Sequence, residues 1–186
     1  LESRSIVISG EINQELAQKI VEKAVRAAHV REAARKQKEG LTLDELVQWV
    51  NDHRQKVCHW FTVDDLMYLK RGGRVSAATA VVGSMLQIKP VLHVDNEGHL
   101  INMGKARGRH ASLTALVDHM EQTAIDPGAQ TVFISHGDCL EEAERVADDV
   151  RKRFGVKEII INNVGPVIGA HSGPGTMALF FMGRER

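Results

Sequence analysis

The chain has no excess of either charge: 24 Lys and Arg balance 24 Asp and Glu across 186 residues. A general nucleic-acid binder is normally basic, so that class is disfavoured and no nucleic-acid partner is expected. No run approaches the roughly 18 apolar residues that a membrane span needs, so no integral membrane contact is expected. The start, Leu1-Glu2-Ser3-Arg4, lacks a charged region followed by an apolar stretch, and the reading is of a chain without a signal peptide. It also lacks an initiator methionine, as a fragment or a processed product would. Cysteine is scarce. Cys58 and Cys139 lie far apart without metal-ligand spacing, which fits two reduced thiols in a cytoplasmic protein. Cys139, beside Asp138 and Glu141, has no cationic sequence neighbour to favour a thiolate. Histidines 59, 93, 99, 110, 119 and 136 form no metal spacing. There is no P-loop and no dinucleotide fingerprint, so no cofactor is expected. Repeats and low-complexity tracts are absent.

Hydrophobic residues make up 43% of the chain, enough for a substantial core. Leu16, Ile20, Val21, Ala24, Val25 and Ala28 recur at helical steps, and the pattern stops at Gly40. Thr42 with Glu45 reads as a capping box, opening a helix with Leu43, Leu46, Val47 and Val50 on one face. From Val57 the order becomes mixed. Val57 to Val63 reads as a strand, Leu66 to Leu69 as a short helix, and Ser76 as the N-cap of an apolar helix. Ile88 to Val94 and His99 to Met103 flank a turn as a hairpin, and Pro90 suggests an edge or a strand start. Lys105 to Arg109 reads as a basic loop and Ala111 to Met120 as a helix. Thr131 to Ser135 reads as a strand, Glu141 to Phe154 as an amphipathic helix, and Lys157 to Ile161 as a strand. A glycine-rich connection over Gly165 to Gly175 precedes a last strand, Thr176 to Met182. The fold class is therefore α/β, a mixed sheet with flanking helices. Residues 1–56 form a helical N-terminal segment and residues 57–186 an α/β lobe.

Three segments are candidates for ligand chemistry. In Lys70-Arg71-Gly72-Gly73-Arg74, paired glycines expose backbone N–H groups and guanidiniums match carboxylate or phosphate oxygens. A helix cap with solvated charges explains the same residues as well. Lys105-Ala106-Arg107-Gly108-Arg109 again offers cations and a glycine, or merely a solvated turn. In Gly165 to Gly175, glycines surround His171 and Ser172, but no acidic residue is identifiable to orient a hydrolytic triad. A histidine donating to a bound anion is the more economical reading. Asp64-Asp65 suggests Mg²⁺, although a helix N-terminus attracts acids without any metal.

Taken in order, these segments are specific. Phe61-Thr62-Val63-Asp64-Asp65-Leu66, Tyr68 to Ser76, Ile88-Lys89-Pro90-Val91-Leu92, Lys105 to Arg109 and Gly165 to Gly175 together resemble the DegV family, over a span from Gly40 to the C-terminus. The resemblance implies a bacterial protein of two α/β lobes, of which this chain resembles the C-terminal one, with a long-chain fatty acid between them. It implies an acyl carrier, not an enzyme, for a separate fatty acid kinase that phosphorylates the bound carboxylate. His171 matches the family's late-loop histidine, and Arg74 and Arg107 match its two basic loops, near the head group or the kinase-facing surface. Gly72, Gly73 and Ser172 complete the expected head-group site. Met85, Leu86, Ile88, Met103 and Phe180 are candidates for lining the acyl chain, against the plainer reading as core. The family's N-terminal lobe supplies hydroxyl residues to the carboxylate. Residues 1–29 do not match that lobe, which implies a fragment or a lobe lost or replaced. An assembly module using Leu16, Ile20 and Val25, with homo-oligomers through the N-terminal helices, is the alternative function. A Ser/His hydrolase using His171 and Ser172 is a weaker one.

Overall fold

The computed structural model describes residues 30–75 and 87–185. Residues 30–38 are helical, and the helix ends as the glycine predicted. Gly40 takes φ +102°, the Leu41 N–H reaches back to the Lys36 carbonyl, and the Gly40 N–H to that of Gln37. This closes a Schellman motif. Helix α1 (Leu43–His53) follows with both halves of the capping box formed between Thr42 and Glu45. None of its residues is buried, and Leu43 and Val47 of its apolar face stand exposed. The expected helices N-terminal to residue 30 and after Ser76 lie outside the described residues.

One mixed sheet organises the rest. Its strands are β1 (Val57–Thr62), β2 (Ile88–Val94), β3 (Leu100–Arg107), β4 (Thr131–His136), β5 (Glu158–Asn163) and β6 (Met177–Met182). They lie in the order β3-β2-β1-β6-β4-β5. Only β4 and β5 run parallel, joined by the crossover helix α4 (Leu140–Phe154). The last strand of the chain is thus a central one, flanked by β1 and β4, and its apolar Met177-Ala178-Leu179-Phe180-Phe181 is buried throughout. A strand covered on both faces reads as a continuous apolar run for this reason.

Helices α3 (Arg109–Thr123) and α4 cover one face. Leu116, Val117, Met120, Ala143, Val146 and Val150 pack there against Trp60, Val132, Ile134, Leu179 and Phe181. Helix α2 (Leu66–Arg71) packs elsewhere, where Leu66 and Leu69 meet Val63 and Leu92. Helix α4 carries Glu141 and Glu142 in its first turn, Arg151, Lys152 and Arg153 in its last, and Gly155 at φ +67° beyond. Each feature opposes the helix dipole or satisfies its end.

Two sequence expectations are corrected. Lys105-Ala106-Arg107 is not a loop: β3 runs to Arg107, paired with β2 residue by residue down to Ile88. Ala106 packs on the core while Lys105 and Arg107 are exposed. The segment is the alternating pattern of a strand with one wet face, and its high charge hides the period. Likewise Gly165 to Gly175 is not wholly loop. Pro166–Ser172 forms helix α5, with proline in the first turn and Gly173 at φ +79° ending it. Pro90 sits near the start of β2, ahead of the Phe61–Leu92 pair where β1 joins, so its missing N–H leaves no β1 partner unmet. β2 is nonetheless an interior strand, because β3 supplies the edge.

Candidate ligand site

Helices α2 and α5 pack together, and three glycines set how closely. Asp65 caps α2, its carboxylate accepting from the Met67 N–H at 2.8 Å. Asp64 pairs with Lys89 of β2 at 2.6 Å, and the same ammonium donates to the Asp64 carbonyl at 2.8 Å. The Asp64-Asp65 pair is therefore engaged in folding the corner between β1 and α2, and the Mg²⁺ reading loses its motive. A side chain on Gly175 would stand 2.7 Å from Asp64 Cβ, and one on Gly173 2.6 Å from the Tyr68 ring. One on Gly72 would stand 2.4 Å from Nδ1 of His171. Such approaches admit no Cβ without displacement.

His171 occupies the last turn of α5, half-buried, with its ring against Gly72. Its Nε2 is buried and has no hydrogen-bond partner among the described residues. Arg74 lies alongside and donates from Nη1 to the Gly72 carbonyl. Burial, and then the charge of Arg74, hold His171 below the ordinary histidine value, so the ring is neutral near pH 7. Burial also lowers Arg74, but a guanidinium starts so high that it keeps its charge. The arrangement is one fixed cation beside a neutral imidazole that offers one ring nitrogen. That pair suits a carboxylate or a phosphate.

The predicted site residues separate into groups. Gly72, Arg74 and His171 come together. Gly73 is adjacent, at φ +70°, with open space where a Cβ would go. Ser172 is buried and its hydroxyl donates to the Ile168 carbonyl at 2.9 Å, a bond within its own helix. That geometry removes the motive for a Ser172–His171 nucleophile pair. Arg107, with Ile88, Lys105 and Ala106, lines a depression of about 340 Å³ at the sheet edge. Met103 is exposed on β3, and Phe180 is buried in β6, edge-on to His59. Met85 and Leu86 lie outside the described residues. Tyr68 and Lys89 are not among the site residues that the sequence marks, and Asp64 is marked only for a metal. The signal that could have found them is the pair Gly173 and Gly175 flanking Pro174, since such glycines mark close approach of another segment.

Fold and geometry together define an α/β lobe with a half-buried arginine–imidazole pair where α2 meets α5. A family profile described as "Uncharacterised protein, DegV family" matches residues 23–184. A DegV domain-containing protein of Clostridium perfringens is 48% identical over 151 residues, 81% of this chain and 52% of that protein. The crystal structure of a fatty-acid-binding DegV family protein from Streptococcus agalactiae superposes with a TM-score of 0.67 at 28% identity, covering 84% of this chain and 55% of that one. The Streptococcus pneumoniae Fatty Acid Kinase (Fak) B3 protein, loaded with linoleic acid, superposes with a TM-score of 0.74 at 19% identity, over 83% and 54% of the two chains; at that identity it shows the shared fold. The chain belongs to the DegV family. It spans about half the length of the curated relatives it matches.

Proposed function

We propose that this chain binds the head group of a long-chain fatty acid, or of its acyl phosphate, and presents it to a separate fatty acid kinase in the cytoplasm. The observation that carries the reading is the buried Nε2 of His171, without a hydrogen-bond partner among the described residues, beside the Arg74 guanidinium. An unsatisfied buried nitrogen costs about 1–3 kcal/mol, and a ligand oxygen would remove that cost. Binding of fatty acid by the Streptococcus agalactiae neighbour supports the choice of acid. Affinity would come from the chain at roughly 0.8 kcal/mol per buried CH₂, with the polar pair selecting for the acid. Gly72 and Gly73 let the backbone approach the head group, and Ser172 holds the last turn of α5. Exposed Arg107 and Lys105, which line a depression with Ile88 and Ala106, serve as the kinase-facing surface. No residue is assigned a catalytic role, since the phosphoryl transfer belongs to the kinase.

Calorimetry with palmitate and with hexadecanol, on the whole chain, tests this. Palmitate is expected to bind and hexadecanol to bind more weakly. No uptake of palmitate, together with no lipid extractable from the purified protein, would count against this chain as a carrier. A second reading, an assembly module, draws on exposed Val30, Leu43 and Val47 in the helices over residues 30–38 and 43–53. Removal of residues 1–28 should then change the sedimentation of the protein, and an unchanged profile rejects it.

A further inference from the structure

Tyr68 is the one tyrosine of the chain, and it sits where the two motif-bearing helices meet. Its ring is the surface against which Gly173 closes: an added Cβ there would stand 2.6–2.9 Å from three of its carbons. The Arg71 guanidinium lies over the same ring, 4.7 Å from its centroid, and its Nε donates to the Met67 carbonyl at 3.3 Å. The ring is therefore held from its own helix by a cation–π contact and a neighbouring backbone bond.

Gly173 is the C-cap of α5, two residues past His171, and its N–H bonds the Gly169 carbonyl at 2.8 Å. On its other side the chain is tied down. Thr176 Oγ1 donates to the Gly173 carbonyl at 2.7 Å, the Gly175 N–H to the Gly137 carbonyl at 2.7 Å, and the Gly137 N–H to the Thr176 carbonyl at 2.8 Å. The end of α5 is thus fastened to β4 and β6 by hydrogen bonds, but toward α2 it rests on the flat face of Tyr68. The Tyr68 ring thus forms the contact of the α5 end with α2, beside the contact of His171 with Gly72.

We propose that Tyr68 is a positioning residue for the ligand site: its ring, steadied by Arg71, seats Gly173 and thereby holds His171 against Gly72 beside Arg74. The ring face does this work, and the hydroxyl is dispensable. The inference rests on the carboxylate-binding reading for its functional consequence, but the seating of His171 is measurable without ligand.

The test follows the His171 ring resonances by NMR across pH in the whole chain without ligand, then measures palmitate and hexadecanol binding. In the unchanged protein His171 should titrate below the ordinary value of about 6.5. Tyr68→Ala should release it toward that value and weaken palmitate about tenfold, with little change for hexadecanol. Tyr68→Phe should restore both properties. If the alanine variant fails to fold, as its amide spectrum would show, Tyr68→Leu keeps apolar volume without a flat ring and takes its place. A His171 midpoint unmoved in the alanine or leucine variant overturns the proposal, as does a phenylalanine variant that behaves like alanine. Should even the unchanged protein take up no palmitate, the fatty-acid reading fails, while the His171 midpoint still decides the role of Tyr68.

Discussion

Gly72 and His171 touch where no side chain fits between them, an added methyl coming within 2.4 Å of Nδ1. The Gly72 backbone is ordinary, with φ −75° and ψ −3°, so alanine is conformationally allowed and the imidazole is the obstacle. Gly73 is the reverse case, at φ +70° with open space around it. Gly72→Ala should displace His171, weaken palmitate binding and cost about 1–3 kcal/mol of stability through overpacking. Gly73→Ala should cost about 1 kcal/mol through backbone strain and leave the His171 resonances in place. Urea denaturation and NMR of the two variants separate the effects. Equal displacement of His171 in both would contradict the geometry.

The two arginine-bearing segments are expected to divide their labour. Arg74 lies beside His171, whereas Arg107 lines the depression at the sheet edge with Ile88. A hydrogen bond to a charged group contributes about 1.5–3 kcal/mol, so Arg74→Ala should weaken palmitate by roughly 10- to 100-fold. Hexadecanol binding should hardly change. Arg107→Ala should leave palmitate affinity intact and slow phosphorylation of the bound acid by the kinase. Calorimetry and a coupled phosphorylation assay check the pair. Palmitate binding lost equally in both variants would place the head group elsewhere.

Much of the lobe is legible in the chain because local physics decides it. The Thr42–Glu45 capping box, the Gly40 terminator and the amphipathic α4 each act within a few residues, and each forms where expected. The misread segments carry conflicting signals. Lys105 and Arg107 look like a loop until Ala106 between them is seen to face the core. Gly169 lowers the helical propensity of α5, and Pro166, at the position where proline favours a helix start, was the contrary cue. Motif order pointed to the family, but not to the contact of Gly72 with His171 or of Tyr68 with Gly173, because each joins segments brought together only by the sheet. The insertion of β6 between β1 and β4 is equally non-local, and no periodicity encodes it.

Acid should loosen the fold through its half-buried histidines. Burial holds both His171 and His119 below the ordinary histidine value. Arg74 adds to the effect at His171, and Asp118 opposes it at His119, whose ring stacks on Trp60 at 3.7 Å. A histidine with a lowered folded value is neutral in both states above about pH 6.5, so no penalty applies there. As pH falls from about 6.5 through the folded values, the unfolded chain takes up protons first and stability declines. Both rings are partly exposed, so the slope should be shallow. Urea midpoints between about pH 7.5 and pH 5.5 should fall for the unchanged protein and fall less for His119→Gln. Stability that rises over this interval, or an identical slope in the variant, would refute the assignment to His119.

Stability and ligand binding should come apart at opposite ends of β6. Its first residue follows Thr176, whose carbonyl and hydroxyl brace the loop behind His171. Its last residue, Met182, donates its N–H to Gln130 Oε1 at 2.6 Å, while Gln130 Nε2 donates to the carbonyls of Ile125 at 2.7 Å and Met182 at 3.2 Å. The amide thus works as a staple that ends the central strand, and it is buried. The Met182 carbonyl keeps a second donor, the Ile125 N–H at 3.0 Å, so the group most harmed by losing Gln130 is the Met182 N–H. Gln130→Ala should therefore cost about 1–3 kcal/mol, the penalty of an unsatisfied buried donor with its neighbours. Gln130→Glu keeps the acceptor for Met182 but removes the donor to Ile125 and buries a charge, so it should be at least as damaging at pH 7. Neither change reaches the His171 end of the sheet. Palmitate affinity at a temperature where the variants remain folded should match that of the unchanged protein, and a parallel loss of binding would show that the sheet transmits strain along β6.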